Sequence, residues 1–328
     1  MYVKKIKNEF ILLKFLYLFL LLIYINQIIK KMINSNLKRP NTFSYETSKF
    51  AILRRTSCPN CGLFSFYIVH LGCINKYLAM GYIPIVDVMT FPNVFNGFNI
   101  SKKNYWEDFF NQPFGYTLEE IKKKAKIIEY VECTGSENRP STNNIYFNEI
   151  LIYFWHDIQK RYMPIKKEIL KESYIIMKKL FKGSKNILGV KMRGTDYISA
   201  KPKGHPIPPT IERVIVDIKN LYIKNKYDWI FMSTEDEIIK GKFIKEFDNK
   251  IKLFEPKEKI NYDYKSSNNI MLNKDINGNL EYARNYLINM IILSKCIDIV
   301  SARGSGAAGI FILTNGFRYS FVYNIGVY

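Results

Sequence analysis

The run Ile187-Leu188-Gly189-Val190-Lys191-Met192 constrains this chain most, because it ends in Arg193-Gly194-Thr195-Asp196. Four apolar side chains follow the Gly183-Ser184 turn, which is the pattern of a buried β-strand. In open α/β sheets, ligands sit beyond the carboxyl ends of the strands. A guanidinium fixed there suits a phosphate, since its planar fork grips two oxygens at once. Gly194 lets a ligand approach the backbone, and Asp196 can orient Arg193 or hold a loop amide. The same window also fits a strand end closed by an Arg–Asp surface pair.

The rest of the second half alternates strand and helix. The strand 186–193 leads into a proline-rich loop, Lys201 to Pro209, and then a helix from Thr210 to about Lys224. Trp229 to Asp236 reads as a strand and its acidic tip, and Lys250–Phe254 as a short strand. A polar loop over Asn261–Gly278 and a helix over Glu281–Lys295 follow. The strand Cys296–Ser301, the helix Ser305–Leu313 and the strand Tyr319–Tyr323 close the chain. Such alternation predicts a mostly parallel sheet. The first half begins with the loop Ser57–Gly62, a helix from Leu63 to about Met80 stopped by Gly81, and a strand Tyr82–Asp87. An aromatic helix over Asn104–Phe110, a Thr117-capped helix, and a helical stretch from Tyr146 to Phe181 broken near Pro164 complete it.

The loop Ser301-Ala302-Arg303-Gly304-Ser305-Gly306-Ala307-Ala308-Gly309 joins a strand to a helix start. Small residues there let backbone amides and the helix dipole face a phosphate, although tight helix–sheet packing wants them too. No Gly-x-x-x-x-Gly-Lys-Ser/Thr sequence occurs, which argues against phosphoryl transfer. Gly304, Gly306 and Gly309 nearly match the dinucleotide fingerprint, but at the last βα unit and with no acid about twenty residues on.

Together these segments resemble the fucosyltransferase superfamily, which includes α1,2-, α1,6- and protein O-fucosyltransferases. The Arg193-Gly194-Thr195-Asp196 strand end is similar to its His-x-Arg-x-x-Asp motif, with Lys191 in the histidine position. Phe231 to Asp236 resembles its Ala-Thr-Asp/Glu strand end, Ser301 to Ser305 its late phosphate loop, and Cys61-Gly62-Leu63-Phe64-Ser65 its amino-terminal Gly-rich loop. The likeness spans about 55–328. It implies an α/β fold of the GT-B type, two Rossmann-like domains facing a central cleft, here with an added N-terminal hydrophobic helix. It also implies a GDP-sugar donor, GDP-fucose, a glycan acceptor, inversion at the anomeric carbon, and no metal or cofactor. On that likeness Arg193 holds the pyrophosphate and stabilises the leaving GDP, supported by Asp196. The donor site would further include Gly62, Lys191, His205, Thr234, Glu235, Asp236, Ser301, Arg303, Gly304, Ser305 and Gly306. The catalytic base is open between Asp87, Glu107 and His205, each of which also has a structural reading. Tyr105, Trp106, Phe109 and Phe110 fit core packing better than stacking on an acceptor sugar.

The expected domains are a membrane anchor or interfacial helix (1–30), a linker (31–50), an acceptor-side domain (51–182) and a donor-side domain (183–328). Phe10–Ile29 is mostly apolar but interrupted by Lys14, Asn26 and Gln27, and no cleavage site follows. Lysines flank it on both sides, so charge sets no orientation. Membrane attachment is expected, on an unspecified side. The net charge of +20 tracks a lysine-, asparagine- and isoleucine-rich composition, and no basic run interleaved with stacking aromatics suggests nucleic acid. Five cysteines, sparse and odd in number, do not describe a disulfide framework. Cys58, Cys61, His70 and Cys73 have the chemistry of a zinc site, and Cys58–Cys61 of a redox pair, but His70 and Cys73 fall on an amphipathic helix where both can simply pack.

Overall fold

A computed structural model of the protein describes residues 44–134, 139–194, 196–199, 201–255 and 276–328. The expected anchor at 1–30 lies outside them, as do Thr195 and the Asp196 side chain. Among the described residues no helix is long and apolar enough to cross a membrane.

Two parallel sheets organise the chain. The first has three strands in the order β2-β1-β3: β1 (Lys49–Arg54), β2 (Ile83–Val86) and β3 (Ile127–Glu132). β1 is central, and Phe50, Ala51, Ile52 and Leu53 are fully buried. Helix α1 (Leu63–Ala79) crosses from β1 to β2 and ends where Gly81 takes a φ of +79°. Helix α2 (Leu118–Lys124) leads into β3, its first turn capped by Thr117, whose hydroxyl accepts from the Glu120 amide at 3.2 Å.

The second sheet has five strands: β4 (Ile187–Lys191), β5 (Trp229–Ser233), β6 (Ile251–Leu253), β7 (Asp298–Ala302) and β8 (Tyr319–Tyr323). They lie β6-β5-β4-β7-β8, and every neighbouring pair is parallel. The chain therefore works outward from β4 to β6, returns to the other side of β4 with β7, and continues to β8. That is the doubly wound order, with its reversal between β4 and β7. Gly189 allows the covering layer close to β4, since a Cβ there would stand 2.8 Å from Ile299 Cδ1 and 3.1 Å from Leu293 Cδ2.

Helices α3 (Glu149–Tyr162) and α4 (Lys167–Phe181) connect the two sheets. The break expected near Pro164 is present, because proline brings no amide to a helix interior. The non-helical residues there are tied down instead: Asn111 N donates to Pro164 O at 2.8 Å and Lys166 N to Phe109 O at 3.0 Å. Beyond β4 come α5 (Asp196–Ser199), α6 (Ile211–Asn225), α7 (Glu237–Phe247), α8 (Ile276–Leu293) and α9 (Ser305–Leu313). One apolar cluster draws on both halves, with α1, α3, α8 and α9 contributing Phe64, Trp155, Ile288 and Phe311. Gly309 of α9 sits directly on the Phe64 ring of α1, where a Cβ would collide.

Several expectations change here. β1, β3 and α5 were not read from the sequence, and β1 begins inside the stretch expected as linker. The aromatic helix shrinks to a four-residue 3₁₀ turn, Tyr105–Asp108, with Trp106, Phe109 and Phe110 in the core. α8 starts at Ile276 rather than Glu281, within the expected loop. Four of the five cysteines are paired, Cys58 with Cys61 and Cys73 with Cys133, leaving Cys296 buried and reduced. The zinc reading falls with this. His70 is fully buried, its Nδ1 lies 3.0 Å from Phe66 O, and its ring stacks on Phe66.

Candidate functional site

The reversal point of the second sheet faces the amino-terminal end of α1 across a cleft of about 250 Å³. Its walls are the Asn60–Ser65 turn into α1, the residues at the carboxyl ends of β4 and β5, Tyr197 with Pro202 and His205, the β7–α9 loop, and one face of α8.

Lys191 closes β4. It is 4% exposed, its Nζ donates to Met192 O at 3.3 Å and stands 3.6 Å from a Glu235 carboxylate oxygen. Burial alone would lower this ammonium, but Glu235 and the nearby Tyr286 outweigh it and hold the pKa above the usual lysine value. Arg193, two residues on, is a third exposed and its Nε lies 3.7 Å from the other Glu235 oxygen. Its guanidinium rests 4.2 Å from the centre of the Tyr197 ring. Tyr197 is fixed in turn by His205, whose Nδ1 is 3.0 Å from the phenol oxygen. The His205 loop is pinned by backbone pairs to the last strand-like residues: Tyr328 N donates to His205 O at 3.0 Å and Ile207 N to Gly326 O at 3.1 Å.

Gly194 is a glycine for a local reason, since a Cβ would strike the Asp236 carboxylate. That carboxylate caps α7, accepting from the Ile238 and Ile239 amides at 2.9 and 3.0 Å. Thr234 Oγ1 accepts from the Asp236 amide at 3.2 Å. Glu235 alone of this trio lines the cleft.

The β7–α9 loop supplies the opposite edge. Arg303 is 8% exposed and donates to two neutral amide oxygens, those of Asn143 and Asn324. Among the described residues its buried Nε has no hydrogen-bond partner. Gly304 has a φ of +147°, a conformation that favours glycine. Tyr146 holds it, its hydroxyl accepting from Gly304 N at 3.1 Å and donating to Gly304 O at 3.0 Å. Burial, chiefly, pushes the Tyr146 phenol up to about 12, so it stays neutral. Gly306 admits the Tyr286 hydroxyl, which a Cβ would displace. Tyr286 and Tyr282 are near-parallel, 11° between planes with centroids 6.2 Å apart, and both line the cleft.

The structure thus brings Gly62, Lys191, Arg193, His205, Glu235, Arg303, Gly304, Ser305 and Gly306 to one cleft. Thr234, Asp236 and Ser301 are not on its lining. Ser301 is fully buried and donates to Ala302 O at 2.8 Å, so its hydroxyl serves the sheet and not a ligand. Asp87 and Glu107 lie elsewhere as well. Asp87 is fully buried and accepts from the Met89 and Thr90 amides at 2.8 and 3.0 Å, and from the Thr90 hydroxyl, which makes it a turn-forming residue. Glu107 accepts from Asn104 Nδ2 at 3.2 Å and Gln112 Nε2 at 3.1 Å, in a network that satisfies the end of β2. The sequence reading missed Asn143, Tyr146, Tyr197, Tyr282, Tyr286 and Asn324 as site residues.

Among the described side chains lining the cleft, three cations face one carboxylate, an excess of two positive charges. An ionised group shut away from water is costly unless it is paired. Glu235 lies against both Lys191 and Arg193, whereas the buried Arg303 guanidinium donates to neutral amide oxygens, an arrangement that can receive an anion.

No protein-family model matches the chain, and no curated protein sequence matches it. Among solved structures, it is similar to the α1,6-fucosyltransferase NodZ soaked with GDP-fucose, at 14% identity over 82% of this chain and 93% of that one, with a TM-score of 0.47. The selenomethionine form of fucosyltransferase NodZ from Bradyrhizobium gives the same values, 14% identity, 82% and 93% coverage and 0.47. POFUT1 in complex with GDP is similar at 8% identity over 88% of this chain and all of that one, with a TM-score of 0.45.

Proposed function

We propose that the protein is a metal-independent, inverting glycosyltransferase that takes a nucleoside-diphosphate sugar in this cleft and passes the sugar to a glycan hydroxyl. The observation that carries the reading is the buried Arg303 guanidinium at the reversal point, which among the described residues meets neutral amides. A diphosphate sugar brings the matching negative charge. The motif likeness supports GDP-fucose as donor, and a surface glycan or its precursor as acceptor.

In such a transfer the acceptor oxygen forms a bond to the anomeric carbon while the bond to the diphosphate oxygen breaks. The electron pair leaves with the nucleoside diphosphate, and the acceptor proton goes to a base. Arg193, Lys191 and Arg303 stabilise the departing charge as cations already fixed in place. Glu235 and the Tyr197 face hold Arg193 in place before the donor arrives. His205 is the cleft-lining side chain that can take the acceptor proton without breaking an ion pair.

A second reading keeps the chemistry and changes the donor. Lys191 stands where the fucosyltransferase motif has histidine and is committed to Glu235, which favours a different nucleotide sugar. Thermal-shift titration with GDP, GDP-fucose, GDP-mannose and UDP-sugars separates the two. Stabilisation by GDP-fucose, with turnover that Arg193→Ala lowers by about 10²–10³-fold, is the expected result. Stabilisation by UDP-sugars alone supports the second reading, and binding without turnover on a broad acceptor panel removes the enzyme. Membrane attachment through the segment 10–29 belongs to the same proposal.

A further inference from the structure

The first sheet has a reversal point of its own. The chain runs from β1 to β2 on one side and returns to β3 on the other, so the reversal lies at the carboxyl ends of β1 and β3. Arg55 stands there, one residue past β1 and 7% exposed. Its Nη1 donates to Ser65 Oγ at 2.9 Å, and its guanidinium is 5.3 Å from the centre of the Phe66 ring. Its buried Nε has no hydrogen-bond partner among the described residues. Glu132, the carboxylate that acts on it, is spent on the loop, accepting from Thr56 N at 3.1 Å, Thr56 Oγ1 at 2.9 Å and Ser57 N at 3.0 Å. Burial first, and the Arg139 charge second, lower Arg55 to about 10, so it remains a cation at neutral pH.

Arg55 lies behind the cleft lining and acts through what it holds. Ser65, in the first turn of α1, is on the lining. With Arg55 donating to its oxygen, the serine keeps its own proton to give, and no described residue accepts it. The turn begins at Gly62, with no side-chain cap and no acid among its first residues. Ser65 N and Phe66 N donate to Gly62 O at 2.9 and 3.2 Å, whereas the Leu63 and Phe64 amides meet no acceptor among the described residues. Two helix amides, a hydroxyl with its proton to give and a buried guanidinium behind it make a corner of donors without an acid.

Across the cleft Lys191, Arg193 and Arg303 are the cations for a diphosphate, so a negative group at the start of α1 belongs to the other substrate. We propose that this corner receives a carboxylate carried by the acceptor glycan, as in a uronic or sialic acid unit, which makes the acceptor an acidic glycan. This rests on the glycosyltransferase reading of the same cleft. Ser65 and the α1 amides would touch the carboxylate; Arg55 is a positioning residue that turns the Ser65 proton toward it and supplies the opposite charge.

Oligosaccharides bearing glucuronate, galacturonate or sialate, each beside its carboxyl-reduced counterpart, are titrated calorimetrically against the full-length protein with and without GDP. An acidic member should bind about tenfold tighter or more than its neutral counterpart, on the scale of a charged hydrogen bond. Arg55→Gln and Ser65→Ala should each abolish most of that preference, and Arg55→Lys should keep part of it. A merely loosened α1 weakens acidic and neutral members alike, so the ratio is the readout, and Ser65→Ala carries the test if Arg55→Gln does not fold. Acidic and neutral members that bind alike, or no binding by any acidic member, overturn the proposal. So does a preference that both variants leave intact, or a fall in GDP affinity with the preference unchanged, which puts the corner on the donor side. GDP binding without preference for the acid removes this subsite and leaves the transferase reading, whereas preference for the acid without binding of any nucleotide sugar supports the subsite and removes the donor.

Discussion

Arg303 is a guanidinium that burial has left with neutral amides for company. Such a group weakens the empty protein and strengthens the loaded one, the usual trade at a binding site. Arg303→Met keeps much of the side-chain length and removes the charge. It is expected to leave the ligand-free melting temperature equal or higher, and to weaken GDP binding by about tenfold or more, on the scale of a lost charged hydrogen bond. Thermal melts and calorimetric titration of the same preparation check both halves. A destabilised variant with unchanged GDP affinity makes Arg303 a structural tie between Asn143 and Asn324. At this scale the cations were legible, because Arg193 and Arg303 end apolar runs beside glycines. The acids were harder to place. A carboxylate at a strand tip looks the same whether it takes a proton or caps a turn, and Asp87 and Glu107 do structural work. Asn143, Tyr146 and Tyr197 matter through partners far away in the fold or through a ring face, and no local pattern marks that.

Between elements, the decisive contact is α1 on α9. Gly309 lies against the Phe64 ring, and this contact draws the two halves of the cleft together. Gly309→Ala forces a methyl group into that ring. Overpacking of this kind costs about 1–3 kcal/mol, against a small gain in helix propensity from replacing glycine. The variant should unfold at lower denaturant, and Gly309→Ala combined with Phe64→Leu should recover much of the loss. An additive double variant would show that the halves do not bear on each other here. Elements buried along nearly their whole length were legible: α9 has the boundaries read from sequence and β4 falls within the strand expected; β8 also keeps its boundaries, although its first two residues are exposed. β3 escaped because five of its six residues keep solvent contact, blurring the apolar signal. β1 is only six residues between Lys49 and Arg54, and charged ends hid a fully buried centre. α8 reaches back through Asn277-Gly278-Asn279, residues that read as loop; Asn279 there is spent on Val94 O at 3.0 Å, a tertiary contact that propensity does not anticipate.

For the molecule as a whole, His70 links the first half to pH. It lies in the middle of α1, fully buried between Phe66 and Trp106. Burial first, and Arg55 second, lower its pKa from 6.5 to about 3. The native protein therefore keeps this imidazole neutral well into acid, while the unfolded chain protonates it near 6.5. Between those values the unfolded state binds one more proton, so stability falls as pH falls, by about 1.4 kcal/mol per unit. Above the unfolded value the contribution is fully present; below about 3 both states are charged and the loss stops growing. His70→Phe keeps the stacked ring and removes the titration. Denaturant midpoints of both proteins between about pH 4 and 6 should differ in slope by that single proton, with the carboxylates cancelling in the comparison. Parallel slopes would mean that His70 is not held neutral. The consequence reaches the cleft, because α1 presents Gly62, Phe64 and Ser65 to it and Cys73 ties the same helix to β3 through Cys133. If acid acts through α1, the pH at which GDP binding is lost should move lower in His70→Phe together with the unfolding midpoint, whereas direct titration of a cleft residue would leave the binding transition where it is in the wild type.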